Sequence, residues 1–289
     1  MLRKTGFFTL IASLAKVAEA TSLSRYIGGT CRTTFYRRRP TMRQAMRLFE
    51  TSLPLEFNHD CVGITTPTAS LSGGPSWPFG LEPEGAGVDT GIGSIPGHWR
   101  MMRICKVVGS GKDTYEAVRD AVLGWEAMHE NSKWAGIHLL NYESGGSLSI
   151  HRGEAANISR PGTLPNVLQI GLGPGAKRLV TYAKTAIPGL WAANPCMVVY
   201  DLVDMRQRGG ITFSSTAYAT LRGHLLRGEE RASVCLRDLD GSVAVEVLSF
   251  SRPAPGIMGR MVFPFVAGMQ RRFFQEQIDS LERIAGQCL

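Results

Sequence analysis

The 289-residue chain is 44% hydrophobic and 19% charged, the composition of an ordinary globular protein with room for one substantial core. Its formal net charge of +8 points to a nucleic-acid partner only until the charge is located. Residues 1–49 hold ten of the 32 Lys and Arg and one of the 24 Asp and Glu, so the other 240 residues balance 22 bases against 23 acids, which excludes a broad electrostatic footprint for DNA or RNA.

In chain order, residues 1–49 read as a targeting segment, disordered or cleaved: rich in Arg, Ser and Thr, ending in Arg37-Arg38-Arg39 with Arg43 and Arg47 beyond. A basic, acid-poor tract of this kind suits import into a mitochondrion, with a plastid as the alternative. A secretory signal (Arg3-Lys4, the apolar run Phe7 to Ala15, then Ala18-Glu19-Ala20) is the weaker rival. Residues 50–289 form one domain. No later stretch reaches the roughly 18 apolar residues that span a bilayer.

Thr66 to Pro96, dense in Gly, Pro, Ser and Thr, is expected to be a long loop or insertion and a place where a protein partner docks. Met101 to Val108 predicts a strand. Gly109-Ser110-Gly111 leads into a helix with Asp113 as N-cap and Glu116 three residues on. The apolar stripe of that helix is Val118, Ala121, Val122, Trp125 and Met128. One or two short strands are expected near Leu148, and further strands over 167–172, 178–183 and 195–203. Gly171-Leu172-Gly173-Pro174-Gly175 with Lys177-Arg178 has the look of a phosphate loop, but Val180, Thr181 and Tyr182 continue as strand where a phosphate cradle needs a helix.

From Ile211 the side chains alternate through Leu221, and Val243, Val245 and Val247 repeat the period after the turn at Asp240-Gly241. A long helix follows Pro253 and Pro255. Its apolar stripe is Met258, Met261, Val262, Phe265, Val266, Met269 and Phe273, then Ile278, Leu281 and Ile284, and Pro264 is expected to kink or break it. Arg271, Gln275, Asp279 and Glu282 form the solvated face. The fold class is α+β, a curved antiparallel sheet wrapped around this helix.

The six cysteines are scattered without a CxxC pair, which argues against a zinc site and for buried free thiols. No His, Asp or Glu spacing suggests a metal, and no cofactor is implied. The concentrated chemistry is Gly223-His224-Leu225-Leu226-Arg227-Gly228-Glu229-Glu230-Arg231, read as the loop between two strands, with Tyr218, Thr220, Ser249, Ser251 and Arg252 nearby. A His beside a carboxylate suits general acid/base work, so His224, Glu229 and Glu230 are the catalytic candidates. The plainer alternative is a solvated hairpin tip in which Glu230 pairs with an Arg and His224 meets backbone.

The run Tyr218-Ala-Thr-Leu-Arg-Gly-His224-Leu-Leu-Arg-Gly228-Glu229-Glu230-Arg231 resembles the hallmark of the domain-of-unknown-function 1990 family, also called uncharacterised protein family 0548. Four more stretches agree in order: Phe57 to Thr65; Val108 to Gly111 with the helix of Ala117, Ala121 and Trp125; Asn194 to Tyr200; and Ser249 to Pro253 followed by Gln270 to Phe273. The resemblance spans about 52 to 286. This chain departs from it at the 66–95 insertion and at Met197, where the family usually has Arg. The resemblance implies a helix-grip fold akin to START, polyketide-cyclase and birch-pollen-allergen proteins, whose helix–sheet gap is often an apolar cavity.

Three readings follow. The first is a module binding a small apolar or amphipathic molecule through Tyr218, His224, Glu229, Arg252, Phe265, Met269 and Phe273. The second is a hydrolase- or cyclase-like enzyme using His224 with Glu229 or Glu230, and Arg252 holding an anionic group. The third is an organellar assembly subunit docking through the insertion.

Overall fold

The computed structural model describes residues 33–50, 56–65, 99–129, 134–140, 178–185, 189–207 and 210–288. The insertion, the strands expected near Leu148 and over 167–172, and the glycine-rich 171–175 run lie outside the described residues. The strands are β1 (Thr34–Tyr36), β2 (Arg100–Ser110), β3 (Ala135–Leu140), β4 (Arg178–Lys184), β5 (Trp191–Gln207), β6 (Ile211–Thr220), β7 (Leu226–Arg237) and β8 (Ser242–Pro253), of which β1 and β3 were not expected from the sequence. They form one sheet in the order β2-β8-β7-β6-β5-β4-β3, with β1 pairing β5, and every pairing is antiparallel. The helices are α1 (Met42–Glu50), α2 (Lys112–Leu123), the single turn α3 (Glu126–His129) and α4 (Ile257–Gly286).

One face of the sheet lies under α2 and α4. Val243, Val245 and Val247 of β8, Ala232 and Val234 of β7, and Met102 and Ile104 of β2 meet Val118, Ala121 and Val122 of α2 there, together with Phe274, Ile278, Leu281 and Ala285 of α4. Each fully buried aliphatic or aromatic side chain in such a cluster contributes about 1.5–3 kcal/mol. The other face is covered as well: Phe213, Ala217, Ala219 and Cys235 sit beneath Phe57 and Val62. In β6 the polar alternate set faces the helices, and its Ser214 shares a 2.9 Å hydrogen bond with the hydroxyl of Tyr115 on α2.

Several expectations change. α2 starts at Lys112 behind Gly111, whose φ of 89° favours glycine, so Asp113 lies inside the first turn and caps nothing. α4 runs through Pro264 without a break; Arg271, Gln275 and Asp279 are exposed as expected. Its fully buried stripe uses Phe274 where Phe273 was expected, and Ala285 where Ile284 was. Cys196 and Cys235 are buried free thiols, while Cys105 and Cys288 are exposed.

The domain also begins earlier than composition suggests. Pro40 leads into α1, where Thr41 and Gln44 cap each other: the Thr41 N–H donates to Gln44 Oε1 at 2.9 Å and the Gln44 N–H to Thr41 Oγ1 at 3.3 Å. Ala45 and Leu48 are buried against Val180, Tyr182 and Trp191, and the Thr33 hydroxyl donates to Asn194 Oδ1 at 2.6 Å. Residues 33–48 therefore belong to the fold.

Gly228 shows why the β7–β8 pairing demands its sequence. A Cβ there would lie 2.2 Å from the carbonyl oxygen of Phe250, which is backbone and can yield only if β8 shifts. Gly228→Ala is expected to cost about 2–4 kcal/mol; urea denaturation of the two proteins checks this, and a loss under about 1 kcal/mol would contradict it.

Candidate functional site

The run 223–231 is mostly strand. β6 ends at Thr220, a short turn carries His224, and β7 begins at Leu226. Glu229, Glu230 and Arg231 are 3%, 6% and 4% exposed, so the solvated hairpin tip is overturned. Strand alternation sends Glu229 and Arg231 to one face of the sheet and Glu230 to the other.

Glu230 faces the helices. Its carboxylate accepts from the Tyr218 hydroxyl at 2.8 Å and from Gln277 Nε2 of α4 at 3.1 Å; among the described residues no arginine pairs with it. Burial raises its pKa to about 7, against the smaller opposing effect of the two donors. Burial and Glu230 hold the Tyr218 phenol well above its ordinary value, so tyrosine is the donor. The register places Tyr218, Glu230 and Ser249 in one row across β6, β7 and β8. The buried Ser249 Oγ has no hydrogen-bond partner among the described residues.

Trp125, between α2 and α3, closes one end of this row. Its ring meets that of Tyr218 edge-on at 5.3 Å, and its buried Nε1–H has no partner. Its φ of 59° is a genuine outlier for a bulky residue, and backbone strain of this kind clusters at functional sites. Met128, Ile137, Leu179, Val198 and Phe273 complete an apolar wall.

Glu229, on the opposite face, is fully engaged by the segment 56–65. It accepts the Gly63 N–H at 2.6 Å, the Thr65 N–H at 3.0 Å and the Thr65 hydroxyl, and burial raises its pKa against these donors. Alongside, Arg231 donates to the Thr65 carbonyl at 2.6 Å and pairs with Glu246, which Arg103 also reaches at 2.6 Å. Asn58 donates to the Leu226 carbonyl at 2.7 Å and accepts from the Thr220 hydroxyl at 2.7 Å.

His224 is buried in the turn, and its Nδ1 accepts the Leu226 N–H at 2.9 Å, the backbone contact expected of it. Burial lowers its pKa to about 3, leaving it neutral. His224, Glu229 and Glu230 thus serve three separate networks, and the structure brings no His–carboxylate pair together among them. Arg252 lies on the Glu229 face, stacked over Trp99. Met269 and Phe273 are half-buried on α4; the Phe265 side chain lies outside the described residues. Sequence reasoning missed Gln277, although a lone uncharged amide on an apolar helical stripe was a signal, and it missed Asn58 and His59, which carry none by themselves. Among the described residues, no three His, Cys, Asp or Glu side chains are placed to hold a metal ion, and no helix is long and apolar enough to cross a membrane.

The profile of a family described as "Domain of unknown function (DUF1990)" matches residues 170–280. A protein described as a UPF0548 protein in Arabidopsis thaliana is 27% identical over 175 residues, 61% of this chain and 68% of its own length. One from Deinococcus radiodurans is 30% identical over 179 residues, 62% of this chain and 75% of its own. The chain belongs to the UPF0548 family. The matched span contains Tyr218, Glu230, Ser249 and Gln277, so the DUF1990 profile takes in four of the polar groups at the interface of α4 and the sheet.

Proposed function

We propose that this domain binds a small amphipathic molecule between α4 and the sheet, with its polar end against the Tyr218–Glu230–Ser249 row and its apolar body along Trp125, Met128 and Phe273. The observation that carries this reading is the Glu230 carboxyl, buried among apolar side chains that push its pKa up, beside two buried polar atoms, Ser249 Oγ and Trp125 Nε1, with no partner among the described residues. Buried polar groups in proteins are satisfied almost without exception, and convergent polar groups in an apolar wall are the ordinary signature of a ligand site. A 30-residue C-terminal helix laid on an antiparallel sheet supports a helix-grip reading of the architecture, by analogy of fold.

The test is native mass spectrometry of the full chain from a eukaryotic host, followed by organic extraction. A co-purified amphipathic compound is expected, sharply depleted in Trp125→Phe, which removes the indole N–H together with part of the wall beside it. A clean apo mass under conditions that retain folded protein would overturn the reading. The enzyme alternative is favoured by the same carboxyl, since a group with a pKa near neutrality exchanges protons readily; turnover of an extracted compound that survives Glu230→Gln would exclude it.

A further inference from the structure

On the sheet face away from α4, Arg227 of β7 and Arg252 of β8 are direct cross-strand partners. Directly opposed side chains on neighbouring strands share a face with Cβ atoms about 4.5–5.5 Å apart, and like charges there are destabilising. The Nε of each arginine is buried and has no hydrogen-bond partner among the described residues. The Arg252 guanidinium carbon sits 4.3 Å above the Trp99 ring, and the buried Trp99 Nε1–H is likewise unpartnered. His59 meets Trp99 edge-on at 5.5 Å.

Among the described residues, acids do little to offset this charge. Asp60 reaches Arg252 only at 3.7 Å from a side chain that is 89% exposed, a geometry worth little in water. Glu229 on the same face is engaged by Gly63 and Thr65. Arg227 and Arg252 are each partly exposed, so the pair is reachable from solvent.

We propose that Arg227, Arg252, Trp99 and His59 form a binding site for a phosphate group, carried by inorganic phosphate or a phosphomonoester. Two guanidinium forks and an indole N–H are donors suited to an oxyanion with several terminal oxygens. His59 selects among oxyanions. Its Nε2 lies 3.1 Å from the Gly228 carbonyl, which can only accept, so Nε2 carries the proton and Nδ1 of the neutral ring is an acceptor. The Nδ1 is buried and unpartnered. A hydrogenphosphate or phosphomonoester monoanion has an O–H to donate there; sulfate and carboxylate at neutral pH have none. Burial, and then Arg252 and Arg227, lower the His59 pKa, against Gly228 and Asp60, which keeps the ring neutral. The site is separate from the helix-side row and stands whether or not that row holds a ligand.

The experiment is thermal unfolding and isothermal titration of the full chain at about pH 6, where a phosphomonoester keeps a substantial monoanion fraction, and constant ionic strength, with inorganic phosphate, phenyl phosphate, sulfate and acetate as probes. Phosphate or phenyl phosphate is expected to raise the midpoint by roughly 3 °C or more at saturating concentration, with sulfate and acetate well behind. Preference for phenyl phosphate identifies a phosphomonoester as the ligand, and preference for inorganic phosphate the free ion. Arg227→Gln, at the start of its strand, is expected to weaken binding at least about tenfold, and Arg252→Lys, which keeps the charge and loses the fork, by a smaller factor. Equal shifts from all four anions, no shift from either phosphate, or a phosphate response unchanged in folded Arg227→Gln would overturn the proposal.

Discussion

Glu246→Ala is expected to lower the unfolding free energy by about 3–5 kcal/mol, the range for breaking a buried ion pair from one side. Glu246 is fully buried on β8 between Arg231, which is 4% exposed, and Arg103, which is 27% exposed. Arg103 can swing toward water. Arg231 cannot: it is held by the Thr65 carbonyl, and a guanidinium does not shed its proton to escape an apolar site. The deletion therefore takes from the buried Arg231 the acid paired with it, leaving the charge to the Thr65 carbonyl and the already engaged Glu229. The paired replacement Arg231→Met with Glu246→Leu should recover most of the loss, since well-packed apolar residues often match a buried pair. Urea denaturation of the three variants checks this; a single-mutant loss near that of a surface site would show that Arg231 finds another partner.

Glu230→Gln should change how stability depends on pH more than stability itself. The folded pKa of Glu230 is raised from 4.5 to about 7, so its contribution is fully present below about pH 4.5, declines as pH rises, and is gone above about 7. The difference is about 3 kcal/mol. His224 works in the opposite sense: its folded pKa is lowered from 6.5 to about 3, so its contribution is present above pH 6.5 and is lost as pH falls. Over pH 4.5 to 7 the two nearly cancel, and the wild-type profile owes little net slope to them. Glu230→Gln removes one side of the balance. The variant should therefore lose stability steeply between pH 7 and 4.5, and the wild-type-minus-variant difference should fall by about 3 kcal/mol between pH 4.5 and 8. Denaturant midpoints across that range measure it, and parallel profiles would place the Glu230 pKa near its ordinary value.

Much of the fold was legible because it follows simple periods. The alternation through Ile211–Leu221 and Val243–Val247 and the length of the C-terminal helix are direct readings of a period of two and a period near 3.6. The start of β7 was not legible, since Arg227-Gly228-Glu229-Glu230-Arg231 has the composition of a loop. It becomes strand because both faces of the sheet are covered and three of its four charges meet specific partners: Glu229 the amides of 63 and 65, Glu230 a tyrosine and a glutamine, Arg231 a glutamate. Those partners lie 12 to 166 residues away in sequence, beyond the reach of local pattern. The same distance hid the candidate site, for Tyr218, Glu230 and Ser249 become neighbours only through strand register. Residues 33–48 were misassigned for a different reason. Their basic charge was the louder signal, and the Thr41–Gln44 capping box inside it was the quieter and more informative one.

The short strand β1 sets a limit on how far the N-terminus can be trimmed. Thr34, Phe35 and Tyr36 pair with Ala193, Ala192 and Trp191 of β5, and the Thr33 amide donates to the Gly223 carbonyl beyond the end of β6. A protease that trimmed the chain past Tyr36 would strip these partners from β5 and leave a bare hydrogen-bonding edge, a template for association with a second chain. Any processing that yields a well-behaved protein must therefore cut upstream of Thr33.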